Sequence, residues 1–188
     1  MELLQLDLES IYKWSRENKM VFNSDKFELL RYKIKDTKIL QSTTFYRSDN
    51  GGTISEQDHV RDLGITMSND ATFTKHIQDK CSAMKSKIAW IMRTFRSRAR
   101  IPMLTLWKTQ VVCHLEYCSQ LWSPTRIGSI QTLELLQKTL FSKIYGMHRL
   151  SYWEQLVELK CYSLERRRER YQIIYTWRII EEQTPNFD

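Results

Sequence analysis

Nine cations, Lys75, Lys80, Lys85, Lys87, Arg93, Arg96, Arg98, Arg100 and Lys108, occupy a stretch in which Asp79 is the only acid. Phe73, Trp90, Phe95 and Trp107 are interleaved with them. Ammonium and guanidinium groups set opposite an apolar helix stripe can track a phosphate backbone, because each phosphate they neutralise releases condensed counterion. The density is greatest from Arg93 to Arg100, at an expected junction of two helices. A solvated helix face explains most charge runs, but so lopsided a ratio favours contact with nucleic acid. A second basic run, Arg166-Arg167-Arg168-Glu169-Arg170, is tempered by Glu165, Glu169, Glu181 and Glu182. Successive helical positions point in different directions, so these arginines cannot form one flat patch. Surface ion pairs and an arginine at a buried edge are the expectation there.

Other chemistry is thin. No Asp-x-Asp or Asp-Asp pair occurs, and Asp49, Asp58, Asp62 and Asp70 sit in loop-like contexts. His59, His76, His114 and His148 lack ligand spacing, and there is no glycine-rich phosphate loop. Cys81, Cys113, Cys118 and Cys161 form no Cys-x-x-Cys pair and read as thiols of a reducing compartment. Cys113, His114 and Cys118 are poorly spaced for zinc. No metal or catalytic site is expected from these residues.

The elements that must position the cations follow from periodicity. Leu4, Leu8 and Ile11 mark one face of a helix over about 2–19, with Asn18 as its left-handed terminator. Residues 26–34 alternate as a half-buried strand with Phe27 and Leu29 on one face, and a second extended run covers about 38–46. Asp49-Asn50-Gly51-Gly52 is a turn, and the run from Val60 to Thr66 closes a small antiparallel sheet of three or four strands. Beyond Phe73 the period becomes helical: Ile77, Cys81, Met84, Ile88, Ile91 and Phe95 form a continuous apolar stripe. Pro102 suits the first turn of the next helix, which runs to about Tyr117 with Leu104, Trp107, Val111 and Leu115 inward and is broken by Ser123-Pro124. Ile130, Leu133, Leu136, Leu140 and Ile144 mark a further helix capped by Gly146. Ser151-Tyr-Trp-Glu154 is a capping box opening a short helix, and Ser163 caps a last one through Leu164, Tyr171, Ile174 and Trp177.

At 188 residues the chain fits one domain or two small ones. With 41% hydrophobic and 27% charged residues it reads as a folded chain, not a disordered one. No run approaches the roughly 18 apolar residues of a membrane span, and the acidic N-terminus does not read as a signal peptide. The net charge of +7 favours an anionic partner.

Leu4, Asp7 and Leu8, then Trp14, Asn23 and Lys26, then Leu63 and Gly64 stand in the order Leu-x-x-Asp-Leu, Trp, Asn-x-x-Lys, Leu-Gly. This resembles the stretch that follows the catalytic Tyr-x-Asp-Asp turn in non-LTR (LINE-type) retrotransposon reverse transcriptases. His114-Leu-Glu-Tyr-Cys-Ser-Gln-Leu-Trp-Ser-Pro124 matches a further family signature, read as packing around Trp122. Leu164-Glu165-Arg166-Arg167-Arg168 matches a Leu-Glu-x-Arg-Arg pattern beyond the polymerase core.

The resemblance implies an α+β chain: a small antiparallel β head at the palm edge over 1–72, a helical thumb-like segment over 73–147, and a helical post-thumb segment over 148–188. It implies that Lys26 lies near the phosphates of the incoming nucleotide, where a cation neutralises charge or a proton donor assists pyrophosphate departure. From the residues alone, Asn23 and Asp25 form a turn and Lys26 begins a solvent-facing strand. It implies that Leu63 and Gly64 form the primer grip, where a missing side chain lets a nucleic-acid backbone approach. On its own Leu63-Gly64 reads as a bulge or a tight strand crossing. The backbone-tracking cations are then Lys80, Lys85, Lys87, Arg93, Arg96, Arg98, Arg100 and Lys108.

The family's two metal-binding aspartates are expected just upstream of Met1, with the fingers and most of the palm. Mg²⁺ belongs to the intact enzyme, and no cofactor is expected in this chain. Two-metal phosphoryl transfer needs carboxylates on both ions, so the chain alone is not expected to polymerise DNA. The expected partners are a template–primer or RNA–DNA hybrid and the missing palm and fingers, in the nucleus or cytoplasm and not at a membrane. The alternative is a non-catalytic helical interaction module whose stripe from Ile77 to Phe95 packs a partner helix. A third reading has another chain supply the aspartates.

Overall fold

A computed structural model describes residues 2–32 and 45–181. The chain is mixed α+β and mainly helical, with two two-stranded sheets among the described residues. It divides between Lys75 and His76 into two compact units.

In the first unit helix α1 spans Glu2–Glu17. Its buried residues are Tyr12 and Ser15, while Leu4 and Ile11 face water, so the expected Leu4–Leu8–Ile11 face is rotated. The reason is aromatic. Tyr12 meets Phe27 at 5.5 Å and Phe22 at 6.3 Å between ring centroids, and Phe22 meets Phe27 at 5.7 Å. Three rings bury more apolar area than two leucines, and they set the helix's orientation. The left-handed residue that ends α1 is Lys19, with φ of 55°, one position after Asn18. Asn18 instead turns its side-chain amide onto the Trp14 carbonyl at 2.9 Å.

A short 3₁₀ turn, Ser24–Lys26, links the two rings Phe22 and Phe27. Strand β1 (Glu28–Leu30) follows, shorter than the expected 26–34, and the extended run at 38–46 lies outside the described residues except for 45 and 46. The Asp49–Gly52 turn is present: Gly51 has φ of 75°, and the Ser48 N–H donates to the Gly52 carbonyl at 2.8 Å beside an Arg47–Thr53 bridge.

Strand β2 (Ser55–Gln57) pairs with β1 in parallel, Glu28 with Ser55 through Leu30 with Gln57. The expectation of one antiparallel sheet fails here: the chain between β1 and β2 is long enough to return in parallel. The run from Val60 to Thr66 is not one strand but a hairpin. Strand β3 (His59–Asp62) pairs antiparallel with β4 (Ile65–Ser68), and Leu63 and Gly64 are its two turn residues.

In the second unit α2 (Thr74–Thr94) buries Ile77, Cys81, Met84, Ile88 and Ile91, and Phe95 lies beyond its end, partly exposed. Burial pushes the Cys81 thiol pKa up. Helix α3 (Arg100–Trp107) runs through a π turn, Lys108–Val112, into α4 (Cys113–Glu116). Met103, not Leu104, is the buried residue of its first turns, followed by Trp107, Val111, Val112 and Leu115. The π turn adds a residue to the register, which lets adjacent Val111 and Val112 both point inward. The helix ends at Glu116, before Ser123-Pro124, because Cys118 turns left-handed ahead of α5 (Ser119–Trp122).

Helix α6 (Ile127–Phe141) contributes Leu133, Leu136, Leu140 and Phe141 to the core, with Phe141 against Trp107 at 5.6 Å. It ends before Ile144, so Gly146, at φ of 81°, belongs to the turns that follow and does not cap α6. Helix α7 (Tyr152–Leu159) opens on the Ser151–Glu154 capping box, and α8 (Leu164–Ile180) on Ser163. Helix α8 packs on α5 and α6, across the boundary expected at 147/148.

Candidate nucleic-acid interface

The cations of α2 do not form one stripe. At 100° per residue Lys80 and Lys87, two turns apart, share one flank of the buried face, and Lys85 stands about 140° from Lys80 on the other flank. Lys75 and Arg93 lie on the side opposite the core. Lys80 and Lys87 are joined by His114 of α4. Desolvation first, then the positive charges of Lys87 and Lys80, lower the His114 pKa.

The Arg93–Arg100 cluster is divided by function. Arg98 donates to the Met92 carbonyl at 2.6 Å, to the Phe95 carbonyl and to the Ser97 carbonyl at 3.4 Å. It therefore satisfies the carbonyls that a helix C-terminus leaves over and sets a cation on the negative end of the α2 dipole. Arg100 reaches across to α7, donating to the Glu158 carbonyl at 2.5 Å and pairing with the Glu158 carboxylate at 3.6 Å. These two arginines hold the fold.

Arg93 and Arg96 are exposed and make no ion pair among the described residues. Beside them Trp90 and Phe95, both partly exposed, stand edge to face at 6.0 Å. Lys108 is exposed in the π turn. The structure thus brings together Lys80 with Lys87, and Arg93 and Arg96 with two aromatic rings. It does not assemble all eight cations.

Lys26 closes the 3₁₀ turn, its N–H bonded to the Asn23 carbonyl at 3.1 Å and its side chain exposed. It precedes β1 and does not begin it. The turn is braced by Asn50, whose amide donates to Ser24 Oγ at 3.1 Å. Leu63 and Gly64 have φ of 46° and 84°, the two positive values that a two-residue hairpin turn demands. This is neither a bulge nor a strand crossing. Leu63 is 83% exposed, an apolar side chain held out at the hairpin tip in a conformation that β-carbon sterics disfavour.

The second basic run is split: Arg166 and Arg170 are exposed, with Arg166 paired to Glu169 at 3.4 Å, while Arg167 and Arg168 enter a network under α8. Arg167 chelates the Glu116 carboxylate, with Nη2 to Oε2 at 3.0 Å, and Tyr171 donates to the same carboxylate at 3.3 Å. The bond to Glu116 holds the Arg167 pKa above its ordinary value. Arg168 is buried, donates to the Leu115 carbonyl at 3.3 Å and lies 5.2 Å from the Trp122 ring. Burial lowers its pKa. Trp122 donates from Nε1 to the Tyr117 carbonyl at 2.8 Å and meets His76 edge to face at 5.0 Å. The signature from His114 to Pro124 therefore forms the seat on which α8 docks. The sequence signal for it was the isolated Glu116, one residue from Tyr117, facing a run of arginines of opposite charge.

The aspartates are occupied locally. Asp49 pairs with Arg16, Asp58 accepts from Asn69, and Asp70 accepts from the Thr72 hydroxyl at 2.9 Å. Among the described residues no group of three or more His, Cys, Asp or Glu stands close enough to hold a metal ion. No helix among them is long and apolar enough to cross a membrane. Comparison of the chain with protein-family models, curated proteins and solved structures returns no match.

Proposed function

We propose that the chain is the palm-edge and thumb portion of a LINE-type RNA-directed DNA polymerase, and that it contributes sequence-independent binding of a template–primer or RNA–DNA hybrid. The observation that carries this reading is the surface at the end of α2, where exposed Arg93 and Arg96 flank the Trp90–Phe95 pair. Guanidinium groups meet phosphates while exposed ring faces support sugars or bases. Arg98 favours the arrangement, since its guanidinium covers carbonyls that would otherwise repel a phosphate. On this reading Leu63 and Gly64 at the hairpin tip act as the primer grip, and Lys26 is the phosphate-side cation.

Binding of a labelled RNA–DNA hybrid, followed by fluorescence anisotropy between about 50 and 200 mM salt, tests the reading. The logarithm of affinity is expected to fall linearly with the logarithm of salt, by about 0.9 for each phosphate engaged. A flat response, or no binding at low salt, defeats it. With Mg²⁺ and a primed template the chain alone is expected to give no extension, and extension would show that aspartates elsewhere in the chain converge.

A second reading, a non-catalytic helical interaction module, loses its original basis because the stripe from Ile77 to Ile91 is buried inside its own unit. One other observation favours it: the last turns of α8 present apolar side chains to water.

A further inference from the structure

Helix α8 changes character halfway along. Its first half is held in place, with Leu164 and Arg168 buried and Arg167 and Tyr171 bound to Glu116. Beyond it the helix is exposed on every side; Ile174, Tyr175 and Ile179 also face water, and the most exposed apolar side chains, Ile173 and Ile180 at 69% and 72%, lie in line with Trp177 at 51%. Their spacing of four and three residues sets them on one line of the helix, the spacing by which helices pair. Arg170 continues that line toward the N-terminus, and Glu181 follows Ile180 at the other end.

Arg170 is exposed and makes no ion pair among the described residues. A shallow hollow lined by Tyr162, Arg166, Glu169, Arg170, Ile173 and Ile174 lies beside the line. The row therefore runs from Arg170, beside the Arg166–Glu169 pair that offsets its own charges, to Glu181, with a concave site near the Arg170 end and a large indole projecting near the middle.

That distribution is self-complementary in one direction only. A parallel pair of such helices sets Arg170 against Arg170 and Glu181 against Glu181, like charge against like. An antiparallel pair about a two-fold axis near Tyr175 sets Ile173 against Trp177 of the other copy, and Trp177 against its Ile173. It also brings Arg170 level with Ile180 and Glu181 of the other copy, within reach of a long guanidinium side chain. Each indole then enters the hollow beside Ile173 and Ile174 of its neighbour. We propose that this face of α8 is a homodimer interface, formed by antiparallel pairing with a second copy of the chain. The inference stands apart from the nucleic-acid reading and uses none of its residues.

A single helix pair buries little area by the standard of obligate dimers, so the expected dissociation constant is in the micromolar range. Sedimentation equilibrium of the full chain from about 1 to 100 µM tests it. A monomer–dimer equilibrium is expected, with Trp177→Glu leaving a monomer throughout. Arg170→Glu and Glu181→Arg are each expected to weaken the dimer about tenfold, because each sets like charges together twice per dimer. The double variant R170E/E181R restores both pairs and is expected to return close to the parent.

These positions are exposed, and far-UV circular dichroism checks that helix content is kept; if Trp177→Glu loses it, the charge-swap series decides. A chain that stays monomeric at the highest concentration overturns the proposal and gives the face to another partner. So does a dimer that survives Trp177→Glu with its helix content kept, or a double variant no tighter than the single ones.

Discussion

In the segment from Arg93 to Arg100 two of four arginines face water without an ion pair among the described residues, while from Arg166 to Arg170 only Arg170 does. The second segment is the denser, four arginines in five positions against four in eight, and of its arginines only Arg166, paired with Glu169, is held by an acid inside the run. The difference is decided by what lies across the fold. Helix α8 docks on Glu116 and on the Leu115 carbonyl, so Arg167 and Arg168 find their acceptors there. Arg93 lies in the last turn of α2 on the side opposite the core, and Arg96 lies in the exposed segment just beyond that helix. Charge density in a sequence locates cations, and the available ones are those with no acceptor behind them.

The comparison breaks most visibly at Arg168. Truncating it to alanine removes packing against Trp122 and leaves the Leu115 carbonyl without its donor, at a cost of about 3 kcal/mol. Methionine keeps the volume and removes a charge whose burial is already unfavourable, as its lowered pKa shows. Arg168→Met shares the loss of the Leu115 donor but keeps the packing, and is expected to cost about 1 kcal/mol. Urea denaturation of both variants measures the difference, and equal losses would mean that the charge itself holds the unit together.

Much of the second unit was legible because its signals are local and agree with one another. The stripe of α2 and the caps Ser151 and Ser163 each predict the same helix from spacing and from terminal chemistry. Arg168 was foreseeable as a buried edge because a helix that starts at Ser163 and buries Leu164 must also turn that position inward. The β region was less legible. A hairpin with Leu63 at positive φ lacks the Asn-Gly signal, so its sequence reads as one strand where two exist. The parallel pairing of β1 with β2 depends on contacts distant in sequence, which no short window carries. The division of labour within Arg93–Arg100 was equally hidden, since the acceptors of Arg98 and Arg100 are backbone carbonyls and a residue of α7.

The same contrast predicts two kinds of loss within one cluster. Arg93→Gln with Arg96→Gln removes two solvent-facing charges, so the salt slope of hybrid binding is expected to decrease by about 1.8 and affinity near 0.15 M salt to drop about tenfold. Stability should be unchanged, as these side chains touch no acceptor among the described residues. Arg98→Gln is expected to act in the opposite way, lowering the unfolding midpoint because the Met92 and Phe95 carbonyls lose their donor, while the slope stays the same. Anisotropy titrations paired with thermal unfolding separate the two, and a slope change for Arg98→Gln would return that residue to the interface.

The smallest expected effect concerns the flank where Lys80 and Lys87 meet His114. Above about pH 6.5 the imidazole is neutral in both folded and unfolded chains and contributes no pH dependence. Its folded-state pKa is lowered, so as pH falls below about 6.5 the unfolded chain binds the proton first and stability declines toward the folded pKa. His114→Gln is expected to flatten that part of the stability profile slightly, read as the difference between variant and parent denaturation midpoints at pH 5.5 and 7.5. A bound phosphate acts in the opposite sense, since an anion between Lys80 and Lys87 favours the imidazolium. If this flank belongs to the interface, the His114 ring proton, followed by NMR, titrates at higher pH with the hybrid present than without it. An unchanged titration confines the interface to the far end of α2, around Arg93 and Arg96.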